Sequence, residues 1–542
     1  MLLIATTLLA TPAVWPVPKQ FSDGGEVCFS RCHPVVHQAV EHGGSALLEA
    51  AVQRFGKRMK SPSSSSCNAL PRFRISTRLQ TNSEYLHAGV DESYRLVVDG
   101  RQGALITAPT VFGAMHALTS LAQVASIPNT THVCLREMVV VDAPDYPYRG
   151  LGISPGQRFM TMDLLKQTIV AMSFAKMNVM HFHLSEFCRY AIESRRHPGL
   201  QQNLRTGINR GFYTFDDVRE LVAYAKSYGI RLVPEWDVPG HQGRNMGQGI
   251  PELSWCASRP PVASDYQWQL RDDEEGVTLG VIRDLFEELA AVFPDSHMHI
   301  GGDEVTDGPL GKCTLEGISA LEQKVMQHVG SLNRTTMAWE ELLTVTGAAK
   351  ADPRTILMAW RGEIGDRQSN AAHNITAQGF RCIQSASDNY YIGYNTGEAY
   401  TKLWRDIADG LSAEQRKLML GGEIFVWTDH YTAPAPIGYQ CGSDTRHPPP
   451  TAAALYPREV DAQFAASTMA VTFPFALIAA GAWWHYDPVV DPSSSDFRKR
   501  ILAANDHLIS LGVDACPTRC ALDPTTSTGC NETHRCGIPY IR

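Results

Sequence analysis

Residues 297–304, with the sequence His-Met-His-Ile-Gly-Gly-Asp-Glu, have the pattern of a short buried strand that ends in two glycines and two adjacent acids. Seven further short strands are predicted in the same part of the chain, several of them separated by helices. This alternation predicts an α/β fold, a (β/α)8 TIM barrel. The alternative, a doubly wound open sheet, is disfavoured because no Gly-rich phosphate loop opens any helix. The predicted strands are residues 149–153, 179–184, 230–235, 297–301, 336–339, 356–359, 380–384 and 422–427, and the predicted helices are residues 162–176, 215–228, 279–293 and 316–329.

Polar and aromatic side chains stand where the predicted strands end. In a (β/α)8 barrel the active site gathers at the carboxyl ends of the strands, so these side chains are expected to meet. Aromatic faces pack against the apolar C–H faces of a sugar ring, and carboxylates accept hydrogen bonds from its hydroxyls. The strand ends therefore predict a sugar-binding pocket. The residues concerned include Glu186, Glu235, Trp236, Asp237, His241, Asp303, Glu304, Trp339, Trp360, Tyr390, Tyr391, Trp427 and Asp429.

A separate small α/β domain is predicted before the barrel, over residues 14–145. Pro144 and Pro147 mark its boundary, and residues 146–542 are assigned to the catalytic barrel with a Cys-rich C-terminal tail. Within the small domain, helical patterns cover residues 47–60 and 110–125, a strand pattern covers 72–79, and 94–98 with 104–107 form a predicted hairpin around Asp99-Gly100.

The first 13 residues are predicted to be a signal peptide, because an apolar run is followed by small residues. The usual basic start is missing, and the alternative is a buried N-terminal helix or strand. The 13 cysteines and the sequons at Asn129, Asn333, Asn374 and Asn531 agree with an oxidising compartment. We therefore expect a protein of the secretory pathway, in an extracellular or lysosome-like location.

The formal net charge of −8 gives no reason to expect nucleic acid or an anionic membrane as a partner. No later segment has about 18 uninterrupted apolar residues, so no transmembrane segment is predicted. The most apolar stretch, residues 465–484, is interrupted by Thr, Pro and Gly and is predicted to be a buried barrel helix and strand. Cys516 and Cys520 lack further zinc ligands at useful spacing, and neither a metal nor a cofactor is predicted.

The adjacent acids Asp303 and Glu304 carry the sharpest chemical signal. Successive side chains on an extended backbone alternate in direction, so the two carboxylates are expected to face different ways. They cannot then flank one bond as the acid pair of an ordinary glycosidase does. One acid can protonate a leaving oxygen while the other holds a different group. The alternative is that the pair caps the following turn.

The run from His299 to Val305 matches the signature of family 20 glycoside hydrolases, the β-N-acetylhexosaminidases. The similarity extends over residues 90–485, which is most of the chain. The other segments that resemble the family are residues 110–114, 148–151, 178–184, 231–241, 337–341, 359–360 and 421–427.

The resemblance implies an exo-β-N-acetylhexosaminidase that releases terminal non-reducing β-linked GlcNAc, with GalNAc as a second candidate. In this family the substrate's own 2-acetamido oxygen attacks the anomeric carbon, which gives an oxazolinium intermediate and retention. Glu304 is then implied as the general acid and base, and Asp303 as the partner of the acetamido N–H. His241 is implied to tune Glu304 through a hydrogen-bond network.

The resemblance also implies the groups that bind the sugar. Arg149, in the first strand, would grip the C3 and C4 hydroxyls. Either Tyr390 or Tyr391 would donate to the acetamide oxygen, and Tyr391 is preferred. The pocket would be walled by Trp339, Trp360 and Trp427.

Four segments depart from the family's pattern. Residues 154–158, Ser-Pro-Gly-Gln-Arg, replace an Asp-Thr-Ser-Arg-like run, and Glu186 stands where the family has paired aspartates. Gly393 replaces a polar residue two positions after Tyr391. Asp429 replaces a glutamate that contacts the far hydroxyls of the sugar, which leaves the choice between GlcNAc and GalNAc open.

Cys256 and Cys313 resemble a family disulfide, and Cys28 or Cys32 is expected to pair with Cys67. The expected partner is a glycan that ends in β-GlcNAc or β-GalNAc, and the resemblance implies a homodimer.

Three other functions compete with the hexosaminidase. The changes at Glu186 and Asp429 favour a catalytically weak glycan-binding protein on the same fold. An enzyme with an open cleft for longer chains is disfavoured by the walled pocket. A metal-dependent hydrolase would use His181 and His183, but we expect these side chains to pack and form hydrogen bonds instead.

Overall fold

The chain divides into two units, one through Asp145 and one from Tyr146. The structure is a computed structural model. It describes residues 14–41, 44–60, 71–128, 131–186, 189–202, 211–242, 244–256, 269–307, 313–392, 399–428, 458–513 and 515. The predicted signal peptide, residues 1–13, lies outside the described residues.

The first unit is a six-stranded sheet with two helices. Its strands are β1 (Gln20–Ser30), β2 (Val36–Glu41), β3 (Arg74–Leu79), β4 (Tyr94–Asp99), β5 (Gly103–Ala108) and β6 (His132–Asp142), and its helices are α1 (Ala46–Met59) and α2 (Val111–Val124). The sheet order is β1-β6-β4-β5-β3-β2. Each helix begins after a hydroxyl, of Ser45 or Thr110, that accepts a backbone N–H three residues on. The predicted helices, hairpin and strand of this unit are present.

Two local features hold this sheet together. Gly103 opens β5 with a φ of +90°, and a Cβ there would lie 2.3 Å from the carbonyl oxygen of Arg74, so only glycine fits. Cys28 on β1 forms a disulfide with Cys134 on β6. Of the two expected partners of Cys67, Cys28 is therefore excluded. Cys32 is disulfide-bonded, and its expected pairing with Cys67 stays a prediction because Cys67 lies outside the described residues.

The second unit contains eight parallel strands that close into a barrel. The barrel strands are β7 (Tyr148–Ile153), β8 (Val179–His183), β11 (Arg231–Glu235), β12 (His297–His299), β13 (Thr335–Trp339), β14 (Ile356–Ala359), β15 (Arg381–Gln384) and β17 (Met419–Val426); the short extra strands are β9 (Ser185–Glu186), β10 (Arg189–Tyr190) and β16 (Tyr391–Ile392). Strand β17 pairs with both β15 and β7, which closes the ring. All eight predicted strands are present, and the predicted (β/α)8 fold is confirmed.

Helices cover the outside of the barrel. They are α3 (Met162–Phe174), α4 (Gly199–Gln202), α5 (Phe215–Lys226), α6 (Arg244–Gly249), α7 (Val277–Val292), α8 (Leu315–Ser331), α9 (Glu341–Thr344), α10 (Ala371–Ala377), α11 (Ser387–Tyr390), α12 (Ala399–Leu403), α13 (Ala413–Arg416), α14 (Arg458–Trp484) and α15 (Ser495–Ser510). The four helices predicted from the sequence correspond to α3, α5, α7 and α8.

The apolar stretch at residues 465–484 differs from its prediction. It belongs entirely to α14, and no part of it is a strand. Phe473 has non-helical dihedral angles, because a residue before proline avoids the helical region, and Pro474 follows it. The helix therefore bends at this point and continues. Within the described part of the chain, none of the helices has the length and apolarity needed to cross a membrane.

Candidate active site

Two glycines after β12 set the direction of the catalytic loop. Gly301 and Gly302 have φ values of +72° and +90°. A Cβ on Gly301 would lie 1.9 Å from a carboxylate oxygen of Asp237, so the loop can approach β11 this closely only with glycine. The backbone N–H of Gly302 donates to Asp237 Oδ1 at 2.9 Å.

Asp303 and Glu304 point to different environments. The side chain of Asp303 is 11% exposed, whereas that of Glu304 is 41% exposed. Glu304 also has a φ of +52°, a conformation that few non-glycine residues adopt. The carboxyl of Glu304 can reach a ligand from solvent while that of Asp303 stays buried.

His241 lies between these two acids. Its Nε2 is 3.6 Å from Asp303 Oδ2 and 3.4 Å from Glu304 Oε2, and its Nδ1 is 3.0 Å from Glu186 Oε1. Burial alone would lower the pKa of His241, but the negative charges of Glu186, Asp303 and Asp237 raise it well above its usual value. Glu186, which departs from the family's aspartate, therefore still reaches His241.

Asp237 is a site residue to which the sequence reasoning gave no role. Burial, and then the like charge of Asp237, raise the pKa of Asp303 well above its usual value. Burial raises the pKa of Asp237 to about 7, opposed by His241 and Asp303. Two carboxyls this close titrate as a pair that holds a proton at neutral pH. The signal was present in the sequence, as an acid two residues after a predicted strand.

Two of the predicted tryptophans pack deep in the barrel. Trp339 is fully buried, and its indole N–H donates to Glu235 Oε1 at 2.8 Å. Trp427 stacks on Phe425, with ring centroids 4.0 Å apart. The rings of Trp339 and Trp427 lie 6.4 Å apart, so the two side chains form one continuous aromatic floor.

Trp360 and Tyr391 are less buried and stack on each other. Their ring planes differ by 6°, and their centroids are 6.1 Å apart. Tyr391 also meets Trp427 edge to face. Tyr390 instead is fully buried, and its hydroxyl accepts a hydrogen bond from Trp483 Nε1. The structure thus brings Tyr391, and not Tyr390, to the aromatic pocket.

The structure does not bring Arg149 to this pocket. Arg149 is the second residue of β7, at the amino end of the strand and therefore at the opposite end of the barrel from the site. Its side chain is fully buried and donates to the carbonyl oxygens of Lys176 and Tyr146, each at 2.8 Å. The expected grip of Arg149 on the sugar hydroxyls is corrected accordingly.

Arg158 follows the carboxyl end of the same strand, in the segment 154–158 that departs from the family's pattern. The carbonyl of Ser154 and the side chain of Gln157 both accept hydrogen bonds from Thr428, which anchors this segment beside β17. Burial, with a contribution from the positive charge of Arg158, lowers the pKa of Arg189 to about 10. Arg158 therefore follows the carboxyl end of β7, just as Asp303 and Glu304 follow the carboxyl end of β12.

A buried network of histidines and carboxylates fills the barrel below the pocket. His181 Nδ1 lies 2.8 Å from Glu423 Oε1, and His181 Nε2 lies 2.9 Å from Glu235 Oε2. Burial alone would lower the pKa of His181, but Glu423 and Glu235 raise it to about 10. Burial would raise the pKa of Glu235, but His299, His183 and His181 hold it well below its usual range. These histidines favour the ionised form of Glu235, which accepts the indole N–H of Trp339.

Three groups of described barrel residues have ligand atoms close enough to hold a metal ion. The carboxylates around His181 and His241 raise the pKa of these two histidines, whereas burial lowers the pKa of His183 and His299. The groups are His181 with Glu235 and His299, His183 with Glu235 and Asp237, and Asp237 with His241 and Asp303.

Comparison with known families agrees with this geometry. A sequence model described as "Glycosyl hydrolase family 20, catalytic domain" matches residues 146–441, and one described as "beta-acetyl hexosaminidase like" matches residues 14–124. The chain belongs to glycosyl hydrolase family 20. It is accordingly a glycoside hydrolase, a β-N-acetylhexosaminidase, as its sequence predicted.

Named relatives and solved structures are consistent with family 20. Beta-hexosaminidase 1 of Arabidopsis thaliana is 30% identical over 77% of this chain and 80% of its own length. Beta-hexosaminidase subunit beta of Homo sapiens is 27% identical over 66% of each chain. The Flavobacterium johnsoniae chitobiase shares the fold with a TM-score of 0.73 at 22% identity, over 93% of this chain and 73% of its own. The β-N-acetylhexosaminidase of Streptomyces coelicolor A3(2) does so with a TM-score of 0.71 at 21% identity, over 94% and 98%.

One further expectation for this family 20 chain is confirmed, and two stay predictions. The disulfide between Cys256 and Cys313 is present. Asp429 and Gly393, on which two of the departures depend, lie outside the described residues.

Proposed function

We propose that the protein removes terminal non-reducing β-linked GlcNAc from glycans, with retention, through an oxazolinium formed by the substrate's own acetamide. The observation that carries the proposal is the divergence of Asp303 and Glu304 around His241. One carboxyl is buried and the other is accessible, so they cannot serve as nucleophile and acid on opposite faces of one bond.

In the first step, Glu304 donates its proton to the glycosidic oxygen. The acetamido carbonyl oxygen forms a bond to the anomeric carbon as the bond to the leaving oxygen breaks, and the aglycone departs as an alcohol. Asp303 accepts the acetamido N–H and stabilises the positive charge that develops on the oxazolinium. The acetamide already lies beside the anomeric carbon, so the attack has the advantage of an intramolecular reaction.

In the second step, Glu304 acts as the base. It takes a proton from a water molecule that attacks the anomeric carbon, and the bond from the acetamide oxygen breaks. The sugar leaves with its original configuration, and Glu304 is protonated again. His241 orients both acids, and its ion pair with Glu186 fixes the imidazole.

The aromatic residues bind and orient the sugar. Trp339 and Trp427 form the floor, Trp360 forms a wall, and Tyr391 donates to the acetamide oxygen. Burial, followed by the charges of Asp303 and Glu341, raises the pKa of Tyr391 well above its usual value, so the hydroxyl keeps its proton. Arg158 replaces Arg149 as the residue that binds the C3 and C4 hydroxyls. Asp429 remains the predicted contact that decides between GlcNAc and GalNAc.

The alternative of a catalytically weak glycan-binding protein has lost one of its two reasons, since Glu186 reaches His241. We keep a secretory-pathway location and a homodimer as proposals. The sequons, and the two disulfides given above, support the former.

A chromogenic β-GlcNAc glycoside tests the proposal. The wild type is expected to hydrolyse it, and Glu304→Gln to lose at least about a hundredfold in kcat because no proton reaches the leaving oxygen. Asp303→Asn is expected to bind the product GlcNAc yet lose most turnover. If the wild type were as slow as Glu304→Gln, the enzymatic proposal would be abandoned for the binding protein.

A further inference from the structure

One buried carboxylate, that of Glu341, joins three strand ends at the pocket. Glu341 follows β13, and its side chain is 1% exposed. Trp360 Nε1 donates to its two oxygens at 3.0 and 3.2 Å, and Arg361 Nη2 lies 2.5 Å from Oε1. The backbone N–H of Glu304 lies 3.4 Å from the same Oε1. A single side chain thus links β13, the end of β14 and the catalytic loop after β12.

The neighbouring Glu340 holds the same two residues by different atoms. Its Oε2 accepts the backbone N–H of Trp360 at 2.9 Å and that of Arg361 at 3.3 Å. Glu340 therefore fixes the backbone at the end of β14, whereas Glu341 fixes the side chains that project from it.

The orientation of Trp360 depends on hydrogen bonds more than the orientations of Trp339 and Trp427 do. Trp339 and Trp427 are packed in the barrel, but Trp360 is only partly buried. Its indole stacks on Tyr391, and Arg361 Cζ lies 5.2 Å from its ring centroid. The hydrogen bonds to Glu341 select one orientation of this ring. They also bring a charged acceptor to the N–H of Glu304, whose backbone is in a conformation that costs energy.

Glu341 also acts on the reacting groups through its charge. Burial, and then the negative charge of Asp303, raise the pKa of Glu341 to about 7, and Arg361 opposes the shift. The coupling is mutual, so an ionised Glu341 disfavours ionisation of Asp303.

We propose that Glu341 is a positioning residue for the hydrolytic reaction: it locks Trp360 and the backbone of Glu304 into one arrangement. The proposal rests on the function proposed above. It concerns a residue that contacts no substrate atom and acts through two residues that do.

The experiment compares Glu341→Gln with wild type on the chromogenic β-GlcNAc glycoside. A glutamine of the same shape presents an NH2 group to donors and so loses part of the set of hydrogen bonds. We expect kcat/KM to fall about 10- to 100-fold, as for loss of charged hydrogen bonds. Removal of the negative charge lowers the pKa of Asp303, so the acidic limb of the pH profile should move to lower pH, which a purely structural role would not cause.

Glu288→Gln is the matched control. Glu288 is a buried glutamate of α7, and its Oε1 accepts the backbone N–H groups of Arg195 and Arg196. Its substitution should leave kcat/KM within about twofold, because Glu288 is bonded to neither Trp360 nor Glu304. If the control variant lost as much kcat/KM as Glu341→Gln, the loss would reflect the removal of a buried carboxylate in general. The proposal would then be overturned.

The remaining outcomes also test the positioning role of Glu341. An active wild type matched by Glu341→Gln in kcat/KM and pH profile overturns the positioning role alone, whereas an inactive wild type overturns the proposed function with it. If Glu341→Gln does not fold, Arg361→Met carries the test, since it removes the cation that holds Glu341 Oε1 and leaves Trp360 in place. A loss of about tenfold in kcat/KM supports the role, and wild-type kinetics overturn it.

Discussion

His241 Nδ1 lies 3.0 Å from Glu186 Oε1, and the opposite ring nitrogen of His241 faces Asp303 and Glu304. This pairing places a cation between the two acids and balances it with a third carboxylate outside the pocket. The extra methylene of Glu186, compared with the family's aspartate, spans the distance to the imidazole. The departure thus preserves a contact with His241.

Glu186→Gln is the first prediction. Glu186 raises the pKa of His241, so removal of its charge lowers that pKa and the imidazole loses its proton at a lower pH. We expect kcat to fall about tenfold or more, and the basic limb of the kcat/KM profile to move to lower pH. Glu186→Asp keeps the charge, so its kcat and its basic limb should lie between those of the wild type and of Glu186→Gln. If the basic limb of Glu186→Gln were unchanged, the proposed role of protonated His241 in the reaction would be contradicted.

The second prediction separates two arginines at opposite ends of β7. Arg158→Met is expected to raise KM about tenfold or more with little change in melting temperature, because it loses hydroxyl contacts to the sugar. Arg149→Met leaves two buried carbonyls without their donor and should destabilise the fold by about 2–3 kcal/mol. Kinetics and thermal melting of both variants make the comparison. A raised KM in Arg149→Met, with Arg158→Met unaffected, would restore the original assignment.

The third prediction concerns the pH dependence of stability. Burial raises the pKa of Glu322 to about 8, whereas an unfolded chain releases this proton near pH 4.5. Raising the pH from 4.5 to 8 therefore favours the unfolded state, which binds fewer protons over this range. Glu322→Gln cannot ionise, and Thr346 can still donate to its carbonyl. Its melting temperature should match wild type near pH 4.5 and exceed it by several degrees at pH 8. Equal melting at both pH values would contradict the burial effect.

The barrel was predictable because each strand is a short apolar run with its own turn signals. Strands β1, β2 and β6 were missed, since their polar and apolar residues follow no clear alternation over much of their length. The continuation of α14 past Pro474 was also missed, because a proline in an apolar stretch is as compatible with a break as with a bend.

The meeting of Asp303, Glu304 and His241 was predictable because a motif fixed both residue type and position at each of them. The assignment of Arg149 failed because it followed the family resemblance and not the residue's position: Arg149 begins its predicted strand, whereas the pocket lies at the carboxyl ends of the strands. Tyr390 and Tyr391 could not be separated, because adjacent residues point in opposite directions and the starting side is set by packing. The pairing of Asp237 with Asp303 depends on the close approach at Gly301, which only the folded barrel reveals.

The central claim, that the substrate supplies the nucleophile, is tested most directly by a series of chromogenic β-glycosides. Their N-acyl group carries zero, one, two or three fluorine atoms. Each fluorine withdraws electrons from the acyl oxygen and weakens it as a nucleophile, while the leaving group stays the same. We predict that kcat/KM falls steeply along the series, by orders of magnitude from acetyl to trifluoroacetyl. A flat series would contradict the account, because the attack on the anomeric carbon would then come from another group.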